Sequence, residues 1–181
     1  MLLFEPTPAP FTSDDWYTPP PYLEAARKVM RGIDLDPASH DLAQEAVKAA
    51  HYFTLENNGL NQPWHGRVWL NPPYSMPAIQ QFIYKLLAEY QDGNVEQAIC
   101  LVNNATDTSW FHALIDQAVA VCFTKGRIRF YSPIRTGESP RQGQAFFYFG
   151  DDPDRFAETF SAFGAILPCT KNRFAKRVFA P

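Results

Sequence analysis

A chain of 181 residues, 46% hydrophobic and 15% aromatic, can bury a core as one domain without disulfides or metals, and this composition excludes a disordered protein. No stretch approaches the roughly 20 apolar residues that cross a bilayer, which excludes a membrane-spanning helix. The formal charge of −3 argues against a uniformly basic nucleic-acid binder, though not against a local positive surface.

Residues 1–13 hold three prolines without periodicity and read as a flexible tail, ahead of a single domain over 14–181. Thr18, the prolines after it and the spacing of Tyr22, Ala26 and Val29 up to Gly32 predict a helix over about 20–30, with Thr18 as its N-cap. Ile33 and Leu35 of "GIDLDPAS" make a short strand closed by Pro37. Leu42, Ala46, Val47 and Ala50 then predict a helix over about 39–51. A polar loop, "LENNGLNQPWHG", leads to the strand "RVWL". The strongest helix follows over about 77–91, with Ile79, Phe82, Ile83, Leu86, Leu87 and Tyr90 as its apolar stripe. "AICLV" is a buried strand, and "DTSWFHALIDQA" a capped helix with Trp110, Phe111, Leu114 and Ile115 inward. Strands "AVAVCF", the alternating "RIRFY" and "QAFFYFG" precede an amphipathic helix over about 153–163.

Strands alternating with helices predict an α/β fold, a mostly parallel sheet with helices on both faces, and the late strand cluster predicts an antiparallel C-terminal edge. In such sheets ligands sit beyond the carboxyl ends of the strands. Cys100, Cys122 and Cys169, odd in number, widely spaced and set in apolar surroundings, fit a reduced cytoplasmic interior, and the proline-rich amino terminus is unlike a signal peptide.

"VWLNPPYS" is the most unusual stretch. An apolar strand runs into Asn71, Pro72 and Pro73, and prolines cannot extend a hydrogen-bond ladder. The Asn71 side-chain carbonyl and the Pro72 main-chain carbonyl are two acceptors fixed close together, suited to the two protons of an exocyclic amine. Acceptors lying out of the ring plane favour a tetrahedral nitrogen, which returns the delocalised lone pair for attack. Tyr74 offers a flat face for stacking a base. Asp34 and Asp36, two residues apart and so on the same side of the strand, suit ribose hydroxyls or a cationic amine, although Asp36 also fits as a helix cap. His40, His51, His65 and His112 show no metal-ligand spacing, and no P-loop or nucleophile elbow is present, so no metal is expected. Nine of the sixteen basic residues fall in two segments: Lys125, Arg127, Arg129, Arg135 and Arg141, then Lys171 to Arg177. They fit a DNA-backbone contact or a solvated face.

Taken in order, "DDWYTPP", "GIDLDPAS", "YFT", "GL", "GRVWLNPPYS", "TDTSWF" and "GRIRFY" resemble the phage-type DNA adenine-N6 methyltransferases, over about Asp15 to Phe149. The resemblance implies a Rossmann-like methyltransferase fold, S-adenosylmethionine as cofactor and double-stranded DNA as partner. It also implies methyl transfer to adenine N6 after base flipping. Asn71, Pro72, Pro73 and Tyr74 match the catalytic motif. Tyr17, Thr18 and Pro19 match the segment that meets the methionine part of the cofactor, and Asp34 and Asp36 match the acidic cofactor strand. Tyr52, Phe53 and Thr54 match the adenosine pocket or belong to the core. One departure is plain: no GxG turn follows the first strand, which leaves open which aspartate holds the ribose. Cytosine-N4 or protein glutamine amide methylation, and an inactive DNA-binding module of the same fold, are the alternatives.

Overall fold

Prolines open the first helix, where their missing N–H groups cost nothing. In the computed structural model, which describes residues 16–131 and 142–169, α1 spans Pro20–Met30. It ends on Arg31 in the left-handed region (φ 62°), with the Arg31 and Gly32 N–H groups both reaching the Arg27 carbonyl. The N-cap is Pro19, not Thr18; the threonine side chain turns toward a cavity instead. The amino-terminal tail, Arg135, Arg141 and the basic group from Lys171 lie outside the described residues.

Strand β1 (Leu35–Asp36) is followed by α2, which covers only Asp41–Val47. The expected extension to residue 51 does not form. Lys48 adopts φ 52°, and the N–H groups of Ala50 and His51 bond the carbonyls of Ile33 and Asp34. That pairing draws the chain into β2 (His51–Tyr52), so Ala50 and Leu42 are exposed and only Val47 of the expected face is buried. A 3-10 turn (Gly59–Asn61) leads to β3 (Gly66–Leu70), α3 (Ala78–Gln91), β4 (Val95–Asn103) and α4 (Ser109–Gln117, capped by Thr108). Then come β5 (Ala120–Thr124), β6 (Gln144–Phe149), α5 (Pro153–Phe160) and β7 (Gly164–Pro168).

The seven strands form one sheet in the order β2-β1-β3-β4-β6-β5-β7. Strands β2, β1, β3 and β4 pair in parallel, and β6 is antiparallel to both β4 and β5. Strand β7 is antiparallel to β5, so five strands point one way and β6 and β7 oppose them. This is the expected mostly parallel sheet with an antiparallel edge. "RIRFY", however, is no strand. Ile128 is buried between exposed Arg127 and Arg129, as the alternation predicts, but the Ile128 N–H bonds the Gln144 side chain. Among the described residues, the segment's β-pairing is a single bridge between Tyr131 and Tyr17.

Alternation along the central strands divides the core in two. Val68, Leu70, Ala98, Cys100, Phe147 and Phe149 face α3 and α4; Trp69, Ile99, Leu101, Phe146 and Tyr148 face α1 and α5. Each fully buried large side chain contributes roughly 1.5–3 kcal/mol relative to exposure, which holds helices on both faces of the sheet.

Candidate active site

The chain leaves β1 toward β2 and returns to β3 on β1's other side, so the strand order reverses between β1 and β3. The carboxyl ends of two parallel strands splay there around a crevice, the usual ligand position in an open α/β sheet. A cavity of about 310 Å³ occupies this place, at the small end of the range of small-molecule sites. The last residue of β1, Asp36, and the turn after it, with Pro37, Ser39 and His40, line one side, and the segment before α1 supplies Trp16, Tyr17 and Thr18. Strand β3 and its turn add Trp69, Asn71 and Pro73.

Two hydrogen bonds fix Asn71 where the prolines stop β3. Its Nδ2 donates to the Trp16 carbonyl at 2.9 Å, and its Oδ1 accepts from the Tyr74 hydroxyl at 2.8 Å. Oδ1 keeps a second lone pair. Pro72 is buried behind it. Tyr74 is half-buried against the first core cluster, its ring edge-on to Phe130 at 6.3 Å, and burial raises its hydroxyl pKa far above the ordinary tyrosine value.

The two aspartates part company. Asp36 is 3% exposed and lines the cavity. Gln44 Nε2 donates to it at 2.9 Å, and Ser39 and the Ala38 N–H also bond it. Burial nonetheless pushes its carboxyl up to about 7. Asp34 lies before β1 and does not line the cavity. It accepts from Arg67 through the main-chain N–H at 2.8 Å, Nε at 2.7 Å and Nη2 at 2.5 Å, and these bonds hold its carboxyl below the usual range. The expectation that both carboxylates share one side of a strand therefore fails, because Asp34 is outside the strand and Arg67 draws its side chain away.

Thr18 Oγ1 is buried, borders the cavity and has no hydrogen-bond partner among the described residues. Pro19 is spent on the start of α1 and Phe53 packs into the core, so neither is a cavity wall, whereas Thr54 is. Phe53 frames the site through its backbone: its N–H bonds the Asp36 carbonyl and its carbonyl accepts from the Ser39 N–H. Sequence reasoning missed His40, whose Nδ1 caps α2 by accepting from the Leu42 N–H, and Gln44. It also assigned no role to Gly59, where an added Cβ would lie 2.0 Å from the Pro37 carbonyl. The signal for Gly59 was the turn-rich "NNGL". Nothing local to Gln44 announced a partner for Asp36.

Lys125, Arg127 and Arg129 are exposed on the segment that leaves β5. Strand β5 points the same way as β3, and Tyr17 and Tyr131 exchange main-chain bonds of 2.8 and 3.2 Å, so this segment returns to the rim that holds the cavity. Among the described residues, no group of three His, Cys, Asp or Glu side chains is placed to hold a metal ion.

A sheet of this order, with its crevice between β1 and β3 and an Asn-Pro-Pro-Tyr turn on the crevice wall, is a Rossmann-like methyltransferase fold. Residues 7–147 match the family described as DNA N-6-adenine-methyltransferase (Dam), and the chain belongs to that family. It is 30% identical over 112 residues to a DNA N-6-adenine-methyltransferase of Haemophilus phage HP1 (strain HP1c1), covering 61% of each chain. It is 26% identical over 140 residues to one of Escherichia phage T1, covering 76% of this chain and 55% of the relative. The matched region thus spans less than two thirds of either relative's length. No solved structure matches the chain.

Proposed function

We propose that this protein transfers a methyl group from S-adenosylmethionine to the N6 amine of adenine in double-stranded DNA, after the base is flipped out of the helix. The observation that carries the reading is the oriented Asn71 amide on the wall of the crevice at the sheet's reversal point. The cavity fits the cofactor's chemistry: a buried acceptor in Asp36, an unsatisfied hydroxyl in Thr18, and apolar walls from Trp69 and Phe82. Asp36 is the residue for ribose hydroxyls or the amino-acid ammonium. Asp34, committed to Arg67, is not. When bound, the cofactor supplies an electrophilic methyl on a sulfonium centre.

The protein's own part is positioning and electrostatics. Asn71 Oδ1 and the Pro72 carbonyl accept the two amine protons, which favours a pyramidal nitrogen with its lone pair directed at the electrophile. The Tyr74 ring supports the extruded base, and Lys125, Arg127, Arg129, Arg135 and Arg141 hold the DNA backbone. Both phage relatives are DNA N-6-adenine-methyltransferases, which supports the DNA substrate.

The test uses labelled S-adenosylmethionine with duplex DNA and base analysis of the product. N6-methyladenine is the expected product, and Asn71→Ala is expected to reduce transfer by about a hundredfold or more while cofactor affinity stays near that of the unaltered protein. Label in protein alone, or in cytosine, would overturn the assignment.

A further inference from the structure

The Asn71 amide has two nearly isosteric ends of opposite hydrogen-bonding character, so a half-turn would replace the acceptor offered to a substrate amine by a donor. Two neighbours decide between them. The Trp16 main-chain carbonyl only accepts, and at 2.9 Å it requires Nδ2 to face it. The Tyr74 hydroxyl at 2.8 Å then donates to Oδ1. Neither partner comes from β3, at whose end Asn71 sits. Trp16 precedes α1, held in place by the Tyr17–Tyr131 bridge, and Tyr74 follows the two prolines.

Building on the proposed methyl transfer, we infer that the Trp16 carbonyl and the Tyr74 hydroxyl form a clamp that dictates which end of the Asn71 amide meets the amine. Tyr74 is thus a positioning residue through its oxygen, separately from anything its ring touches. The hydroxyl occupies one lone pair of Oδ1 and leaves the other for the substrate. The clamp also makes position 71 selective for an amide. A carboxylate there would put an ionised oxygen against the Trp16 carbonyl, two acceptors with no proton between them. A carboxylic acid would not, since its O–H can donate to that carbonyl while its other oxygen accepts from Tyr74.

Steady-state methylation of duplex DNA by Tyr74→Phe and Asn71→Asp tests the clamp, with cofactor affinity and thermal midpoint as checks of folding. Tyr74→Phe keeps the ring and loses the hydroxyl. Its kcat is expected to fall about tenfold, as for loss of one hydrogen bond, while KM for DNA changes less than about twofold. For Asn71→Asp, the rate relative to the unaltered protein is expected to rise steadily as pH falls from 8 to 5.5, as the introduced carboxyl takes up a proton. Unchanged kcat in Tyr74→Phe, or a pH-independent ratio for Asn71→Asp, would overturn the clamp while leaving methyl transfer intact. Absence of DNA methylation by the unaltered protein would instead remove the reaction on which the clamp rests, and the clamp with it.

Discussion

Asp36 and Asp34 have opposite linkages to pH. In the unfolded chain both ionise near 3.8; in the fold Asp36 does so near 7, because burial outweighs the bonds from Ser39, Ala38 and Gln44. The folded state therefore binds the Asp36 proton more tightly. Its favourable contribution is complete below about 3.8 and is lost as pH rises through 7, where a buried charge must be carried. Asp36→Asn is expected to melt about 5 °C higher than the unaltered protein at pH 8, with the difference vanishing toward pH 4. Cofactor binding is expected to weaken in the same variant. Calorimetry across that pH series, paired with a cofactor titration, checks both; a midpoint at pH 8 no higher than the parent's would refute the burial argument. Asp34 behaves conversely: the stability that Arg67 confers is present above the ordinary carboxylate pKa and lost as pH falls through the lowered one. In the sequence the two were alike, two residues apart. What separates them is the point where the strand begins and the reach of an arginine 33 positions away.

At the scale of elements, β3 shows how tightly a strand's start is specified. Gly66 has φ 68°, the ladder with β4 shifts register between Gly66 and Arg67, and an added Cβ would lie 2.6 Å from Asp34 Oδ2. Gly66→Ala combines backbone strain with displacement of the Asp34–Arg67 pair, and is expected to cost about 1–3 kcal/mol. Urea unfolding reads that loss directly, and because Gly66 is at the end of β3 remote from Asn71, kcat is expected to stay within about twofold. Elements with a strong local pattern were legible: the α3 stripe, the continuous apolar runs of β4 and β6, and the prolines that open α1. Strands β2 and β7 were not. The first is two residues long and forms only because β1 offers free carbonyls, and the second begins at Gly164, pressed against the Phe123 carbonyl, a contact no local pattern encodes. The alternation of residues 127–131 correctly gave inside and outside, yet the Gln144 side-chain amide occupies the place of a ladder partner.

Over the whole molecule, the parallel strands bring residues from distant parts of the chain to one rim: Asp36, Asn71 and the cationic segment after β5. The motif and its place at a strand end were readable beforehand. The cavity's walls were not, since Trp16 and Gly59 join it only through contacts with distant residues, Asn71 and Pro37. If the cations hold phosphates, Lys125→Ala with Arg129→Ala is expected to reduce the slope of log affinity against log salt by about 2, with cofactor affinity unaffected. Fluorescence anisotropy at several salt concentrations measures it, and an unaltered slope would remove the segment from the DNA contact.

The Asp92–Gly93 turn between α3 and β4 lies at the other extremity of the sheet, and a Cβ added at Gly93 would meet nothing within 4 Å. Nine-residue β4 separates it from the rim that holds the cavity, a span of about 30 Å. A surface tether, dye or immobilising handle spliced there would leave the mouth of the cavity facing solution, which makes this turn the natural grip for single-molecule or chip-based work on the protein.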